Sequence, residues 1–129
     1  MNKILVEVSV GELLDKISIL EIKKEKIKDS EKLKFINDEY EVLKDQLDKN
    51  VKSDEKIDKL FQSLKEINSK LWIIEDNKRL CEKNSDFSEK FIKLSRDVHF
   101  LNDNRAKIKL EINHHTGSKI KEIKKYTTY

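Results

Sequence analysis

Residues 54–83, DEKIDKLFQSLKEINSKLWIIEDNKRLCEK, decide the fold. Within them Ile57, Leu60, Leu64, Ile67, Leu71 and Ile74 recur at steps of three and four, the spacing that lines side chains along one face of an α-helix. Lys52-Ser53-Asp54 places a capping residue in front, and the helix is expected to end near Lys83. Asn84-Ser85-Asp86 is then expected to cap a further long helix. Its Phe87, Phe91, Leu94, Val98, Leu101, Ile108 and Ile112 share one face, and Gly117 is its natural stop. A linker this short forces the two helices to run antiparallel, so helices 3 and 4 read as a long hairpin.

Working back toward the N-terminus, Ser9 followed by Glu12 has the form of a capping box, which starts helix 1 at Val10 and carries it to about Lys28. Asp29-Ser30 caps helix 2, about 31–49, with Leu33, Ile36, Tyr40, Leu43 and Leu47 on its apolar stripe. Ahead of these, Ile4, Val6 and Val8 alternate with Leu5, Glu7 and Ser9, a period-2 pattern that predicts a short strand over residues 3–8. The β-prone Tyr126-Thr127-Thr128-Tyr129 is its candidate partner. The expected architecture is therefore all-α: an up-down bundle of about four helices with a long helix 3/helix 4 hairpin and a short N-terminal strand. Residues 1–113 form the bundle and 114–129 a basic tail.

Composition agrees. The 129 residues contain no proline and only Gly11 and Gly117 as glycines, which removes the punctuation of β-sandwiches and barrels and the material of a Gly-rich phosphate loop. Of the net charge of +3, residues 1–112 contribute nothing, with 24 basic and 24 acidic side chains. The tail holds Lys119, Lys121, Lys124 and Lys125 against Glu122. A neutral body offers no continuous basic track, so nucleic acid is not an expected partner. No stretch has the roughly 20 uncharged apolar residues of a membrane span. The Met1–Glu7 opening lacks the form of a signal peptide, and the single Cys81 permits no internal disulfide. A soluble, cytoplasmic protein is expected.

Isolated charge on an apolar face is costly, so polar residues that periodicity places there are informative. Glu21 falls within the arc of Val10, Leu14 and Ile17, while Ile19 and Ile22 lie across the helix, so helix 1 reads as buried on two faces. Asn68, Trp72, Glu75 and Arg79 follow at steps of four, three and four along helix 3. Arg105 interrupts the helix 4 stripe between Leu101 and Ile108, flanked by Asn102 and Lys109. At about 1.5 Å per residue, Glu21, Asn68 and Arg105 come level in an up-down bundle, with Glu75 about two turns away. Two readings follow: a buried salt bridge that fixes register, or an interhelical pocket for a small anionic ligand in which the arginine forks grip carboxylate or phosphate.

Other signals are weaker. Glu12 with Asp15, and Glu75 with Asp76, are carboxylate pairs of a kind that holds magnesium, but Glu12 is already accounted for by the capping box. His114 and His115 are adjacent, point about 100° apart on a helix, and suit its negative end better than a shared metal. Cys81 reads as a buried thiol. No metal site, catalytic set or cofactor is implied.

The stretches Lys3–Leu13 with Asp15-Lys16 and Ile19–Lys23, then Asn68, Leu71-Trp72, Ile74-Glu75-Asp76 and Arg79, then Asp86-Phe87, Phe91-Ile92, Leu94, Arg96, Val98, Asn102-Asp103, Arg105-Ala106, Lys109 and Ile112-Asn113 together resemble a family of small bacterial and phage proteins. That family is classed as a domain of unknown function. The resemblance covers nearly the whole chain. It implies the helical fold and little chemistry, although some members stand near or fused to glycosyltransferases and tetratricopeptide repeats, which suggests surface-polysaccharide metabolism. Glu21, Asn68, Glu75, Arg79 and Arg105 all fall on its motif positions.

The function expected is the binding of an anionic metabolite, such as a nucleotide or sugar phosphate, by Glu21, Asn68, Trp72, Glu75, Arg79, Asn102, Arg105 and Lys109. The alternatives are a structural or interaction protein, self-associating through terminal strands or helix faces, and a metal-assisted enzyme using Glu75 or Asp76.

Overall fold

A computed structural model describes residues 2–129. It contains four helices: α1 (Val10–Lys26), α2 (Ser30–Asn50), α3 (Glu55–Lys83) and α4 (Glu89–Thr116). The starts of α1, α2 and α3 and the ends of α3 and α4 have local chemical causes, whereas Ser88 at the start of α4 makes no side-chain cap. The Ser9 hydroxyl accepts the Glu12 N–H at 3.0 Å, Asp29 accepts from Glu31 and Lys32, and Asp54 accepts the Ile57 N–H at 2.8 Å. The α3–α4 turn is closed by Ser85 in the left-handed region (φ 52°), which lets the Asp86 N–H reach back to the Cys81 carbonyl at 2.8 Å. Gly117 (φ 66°) ends α4 in the same way, with the Ser118 N–H on the Asn113 carbonyl at 2.9 Å. Because α4 starts only at Glu89, Phe87 lies in the turn and is exposed rather than on the helix stripe.

The central helix is α1. It packs against each of the other three, while α3 and α4 lie along one another and α2 rests on α1. Leu13, Leu14, Asp15, Ile17, Ser18, Leu20 and Ile22 are consequently buried around most of its circumference. Leu14, Ile57, Leu64 and Ile112 form the core, with Val10, Leu47, Val51, Leu60, Phe61 and Ile108 packed on it. The 29 residues of α3 against the 17 of α1 correspond to about 43 Å against about 25 Å, so the closed end of the hairpin runs past α1 as an arm. Cys81 is buried within that arm.

The expected strand is absent. Among the described residues there is none, and Ile4, Leu5 and Val6 are 88 %, 83 % and 75 % exposed. An alternating pattern forms a strand only where a partner pairs with it, and Tyr126–Tyr129 does not. The tail instead runs back along α4, where the Tyr129 ring meets His99 and Phe100 edge-on at 5.4 Å. No helix is long and apolar enough to cross a membrane among the described residues.

Candidate functional site

The site begins at the start of α1, where the first N–H groups of a helix have no partner within it. Here those of Val10, Gly11 and Glu12 are taken. The Val10 N–H goes to the Ser118 hydroxyl (3.2 Å) and the Gly11 N–H to the Asn113 side-chain carbonyl (2.7 Å), while the Glu12 and Leu13 N–H groups go to Ser9. Gly11 permits this approach, because a Cβ there would stand 2.5 Å from the Lys109 carbonyl oxygen.

One turn further on lies Asp15, 1 % exposed. Its Oδ1 accepts from Arg105 Nε at 2.9 Å and from Asn68 Nδ2 at 2.8 Å, and its Oδ2 accepts from Arg105 Nη2. The Asn68 amide also donates to the Ser18 hydroxyl (2.8 Å), which donates in turn to the Asp15 backbone carbonyl (2.7 Å). The node joins α1, α3 and α4, and no buried side-chain nitrogen or oxygen lacks a partner among the described residues.

Toward solvent the node continues into Lys109 and the acids around it. Lys109 Nζ lies 2.6 Å from Glu12, 3.9 Å from Asp15 and 3.4 Å from Glu122 of the tail. Burial works against the Lys109 ammonium, but the Glu12 hydrogen bond and the charges of Asp15, Glu12 and Glu122 outweigh it and raise its pKa above the ordinary lysine value. The hydrogen bond from Asp15 likewise raises that of Arg105. Outside these side chains, α4 and the tail enclose a cleft of about 200 Å³, lined by Asn102, Arg105, Lys109, Asn113, Glu122 and Lys124 with Ala106, Leu110 and Ile123 as its apolar part. Arg105 Nη1, which faces Asn102 Oδ1 at 3.5 Å, is the least engaged edge of the guanidinium.

Residues 4–129 match a family described as a family of unknown function, DUF6165. The chain belongs to that family. No curated protein and no solved structure matches it.

The DUF6165 fold brings together some of the residues that periodicity singles out and separates others. Asn68 and Arg105 do converge, but on Asp15 rather than Glu21. Glu21, six residues later on α1, pairs with Lys65 at 3.1 Å, beside the Glu25–Lys65 pair at 2.8 Å. Asn102 and Lys109 line the cleft with Arg105. Trp72 is half-buried on α3, while Glu75 and Arg79 are exposed further along the arm and form no ion pair among the described residues. The interhelical space at Asn68 is filled by the Asp15 node, so the cleft of this DUF6165 member opens between α4 and its tail. Periodicity alone misses Asp15, Ser18 and Glu122. The signal for the first two lies in Gly11, Asp15, Ser18 and Ile22, which follow at steps of four, three and four and form a second face, with Gly11 and Ser18 as small residues suited to close helix approach.

The remaining polar readings resolve locally. Glu12 accepts from Lys109 instead of folding back on its own helix end, so the Ser9 cap is one-sided. Both members of the Glu12/Asp15 pair are engaged by cations. His115 Nε2 lies 2.7 Å from Asp54 and ties the end of α4 to the start of α3.

Proposed function

We propose that the chain is a non-catalytic binding module whose α4–tail cleft takes a small anionic metabolite, a sugar phosphate before a nucleotide. One observation carries the reading: an acidic group already stands in the cleft. The Glu122 carboxylate lies 3.4 Å from Lys109 and 3.5 Å from Lys124, with the guanidinium of Arg105 in the same wall. Lysine supplies point charge and arginine a planar fork, the pair of groups that suits phosphate oxygens. With the tail seated the cleft is about 200 Å³, below the roughly 300–1,000 Å³ of sites for drug-sized ligands. Some members of the family the chain resembles stand near or fused to glycosyltransferases, which would suit a sugar phosphate. Because Glu12 and Asp15 neutralise the cations from behind, the affinity is expected to be modest.

Calorimetric titration with a hexose phosphate, with the free hexose as control, tests the reading. Saturable heat for the phosphate alone, lost in Lys109→Met, supports it; equal behaviour of the two sugars sinks it.

A second reading has its own observation. Ile73, Leu80, Phe87, Ile92 and Phe100 are each at least 42 % exposed on the hairpin arm, as an interaction protein associating through helix faces would require. Sedimentation velocity on Ile73→Glu against the unaltered chain separates it, because a dimer built on this face would dissociate. Glu75 and Asp76 are exposed on α3 outside the cleft, and nothing in their surroundings favours a metal-assisted enzyme.

A further inference from the structure

The tail is held to the bundle by polar contacts alone along most of its length. The Ser118 hydroxyl accepts the Val10 N–H and donates to the Ile120 carbonyl at 2.8 Å, Glu122 bridges Lys109 and Lys124, and the Tyr129 hydroxyl donates to Asp103. Every residue from Lys119 to Tyr129 is exposed, including Ile123 at 78 % and Tyr126 at 72 %. Exposed ion pairs contribute little, so a strap held this way leaves α4 at small cost. Its one acid, Glu122, is also the residue placed over the cations of the cleft. Lys109 foremost, and then Lys124, hold the Glu122 carboxyl below the ordinary glutamate range, so it stays charged there.

Resting on the binding function proposed above, we infer that Glu122 is a built-in competitor for the anion position, and that a phosphate monoester is the ligand class that displaces it and lifts the strap from α4. The carboxylate brings one charge and two oxygens, which reach Lys109 and Lys124 only at 3.4 and 3.5 Å. A phosphate monoester brings up to two charges and three free oxygens, enough to hold Lys109 and engage the Nη1 edge of Arg105 on α4 while Lys124 leaves with the tail. The apolar wall of Ala106 and Leu110 remains to receive the alcohol portion once Ile123 moves away with the tail. A monocarboxylate merely replaces Glu122 like for like and loses to it, because Glu122 is tethered and always present at high effective concentration.

The test uses the full chain and its Glu122→Gln variant, isotopically labelled, with inorganic phosphate as the probe and sodium chloride at matched ionic strength as the control. Phosphate is expected to increase the mobility of the amides of residues 119–129 in heteronuclear NOE measurements, whereas chloride does not. Glu122→Gln is expected to show that mobility without phosphate and to bind phosphate about two- to fivefold more tightly, the range for loss of one exposed ion pair. If both proteins bind phosphate equally and the tail keeps its order, the cleft is an anion site but Glu122 does not gate it, and the inference is overturned while the binding function stands. If neither binds saturably, the binding function fails and takes the inference with it.

Discussion

Asp15 of α1 and Arg105 of α4 face each other in a two-pronged ion pair, the carboxylate 2 % exposed and the guanidinium 28 %. This asymmetry sets the cost of breaking it. Arg105→Met leaves the buried carboxylate with Asn68 and a lysine at 3.9 Å, and is expected to destabilise the fold by about 3 kcal/mol, the low end for an uncompensated buried charge. Asp15→Leu with Arg105→Met removes both charges and is expected to lie within about 1 kcal/mol of the unaltered protein. Urea unfolding of the single and double variants measures the coupling, and additive effects would contradict the pairing.

Gly11→Ala is expected to destabilise although alanine is the better helix former. The propensity gain is about 1 kcal/mol, but the new methyl would stand 2.5 Å from the Lys109 carbonyl oxygen and 3.0 Å from Asn113 Oδ1. Relieving those contacts means moving α1 from α4 and stretching the 2.7 Å Gly11–Asn113 hydrogen bond. A net loss of about 1–2 kcal/mol in thermal or urea unfolding is expected.

Acid is expected to weaken the junction between α3 and α4. The Ile57 N–H, and after it His115, hold the Asp54 carboxyl below its ordinary value of 3.8. A depressed folded pKa stabilises above the unfolded value and loses that contribution as pH falls through the folded one. Asp54→Ala is therefore expected to lower the Tm by a few degrees at neutral pH and to lose part of this difference below about pH 4. An unchanged difference from pH 7 to pH 2 would show that the carboxylate has no such role.

Deletion of residues 119–129 is expected to leave a cooperative fold, with the Tm lowered by less than about 3 °C, because the segment is exposed throughout and its ion pairs are of the weak surface kind. Circular dichroism melts check this. A large loss would mean that the tail is part of the core.

The helices and most of their ends could be read from the sequence because their causes are local: Ser9, Asp29, Asp54 and Gly117 each act within a turn. The start of α4 could not, since Asn84-Ser85-Asp86 forms the turn rather than the cap and the helix begins only at Glu89. The strand over residues 3–8 could not, since pairing depends on a distant partner that the fold places elsewhere. Asn68 and Arg105 were legible as polar groups on apolar faces. Asp15 was not, because a helix buried on most sides has no single stripe against which an intruder stands out. Glu21 satisfies the periodicity rule on α1 and meets Lys65 instead. Glu122 lay beyond any periodicity argument, since its contact with Lys109 depends on the path of an irregular tail.

Whether the cleft beside Arg105 receives a phosphorylated ligand is tested most directly by NMR titration of the labelled full chain with a hexose phosphate, following the Arg105 side-chain Nε–H and the backbone amides of residues 102–109 and 122–124. Saturable shifts are expected in these groups and along the rest of residues 119–129 as the tail leaves α4, absent with the free hexose and lost in Lys109→Met. Shifts that do not saturate, or that spread evenly over the lysine-rich surface and follow ionic strength, would contradict it.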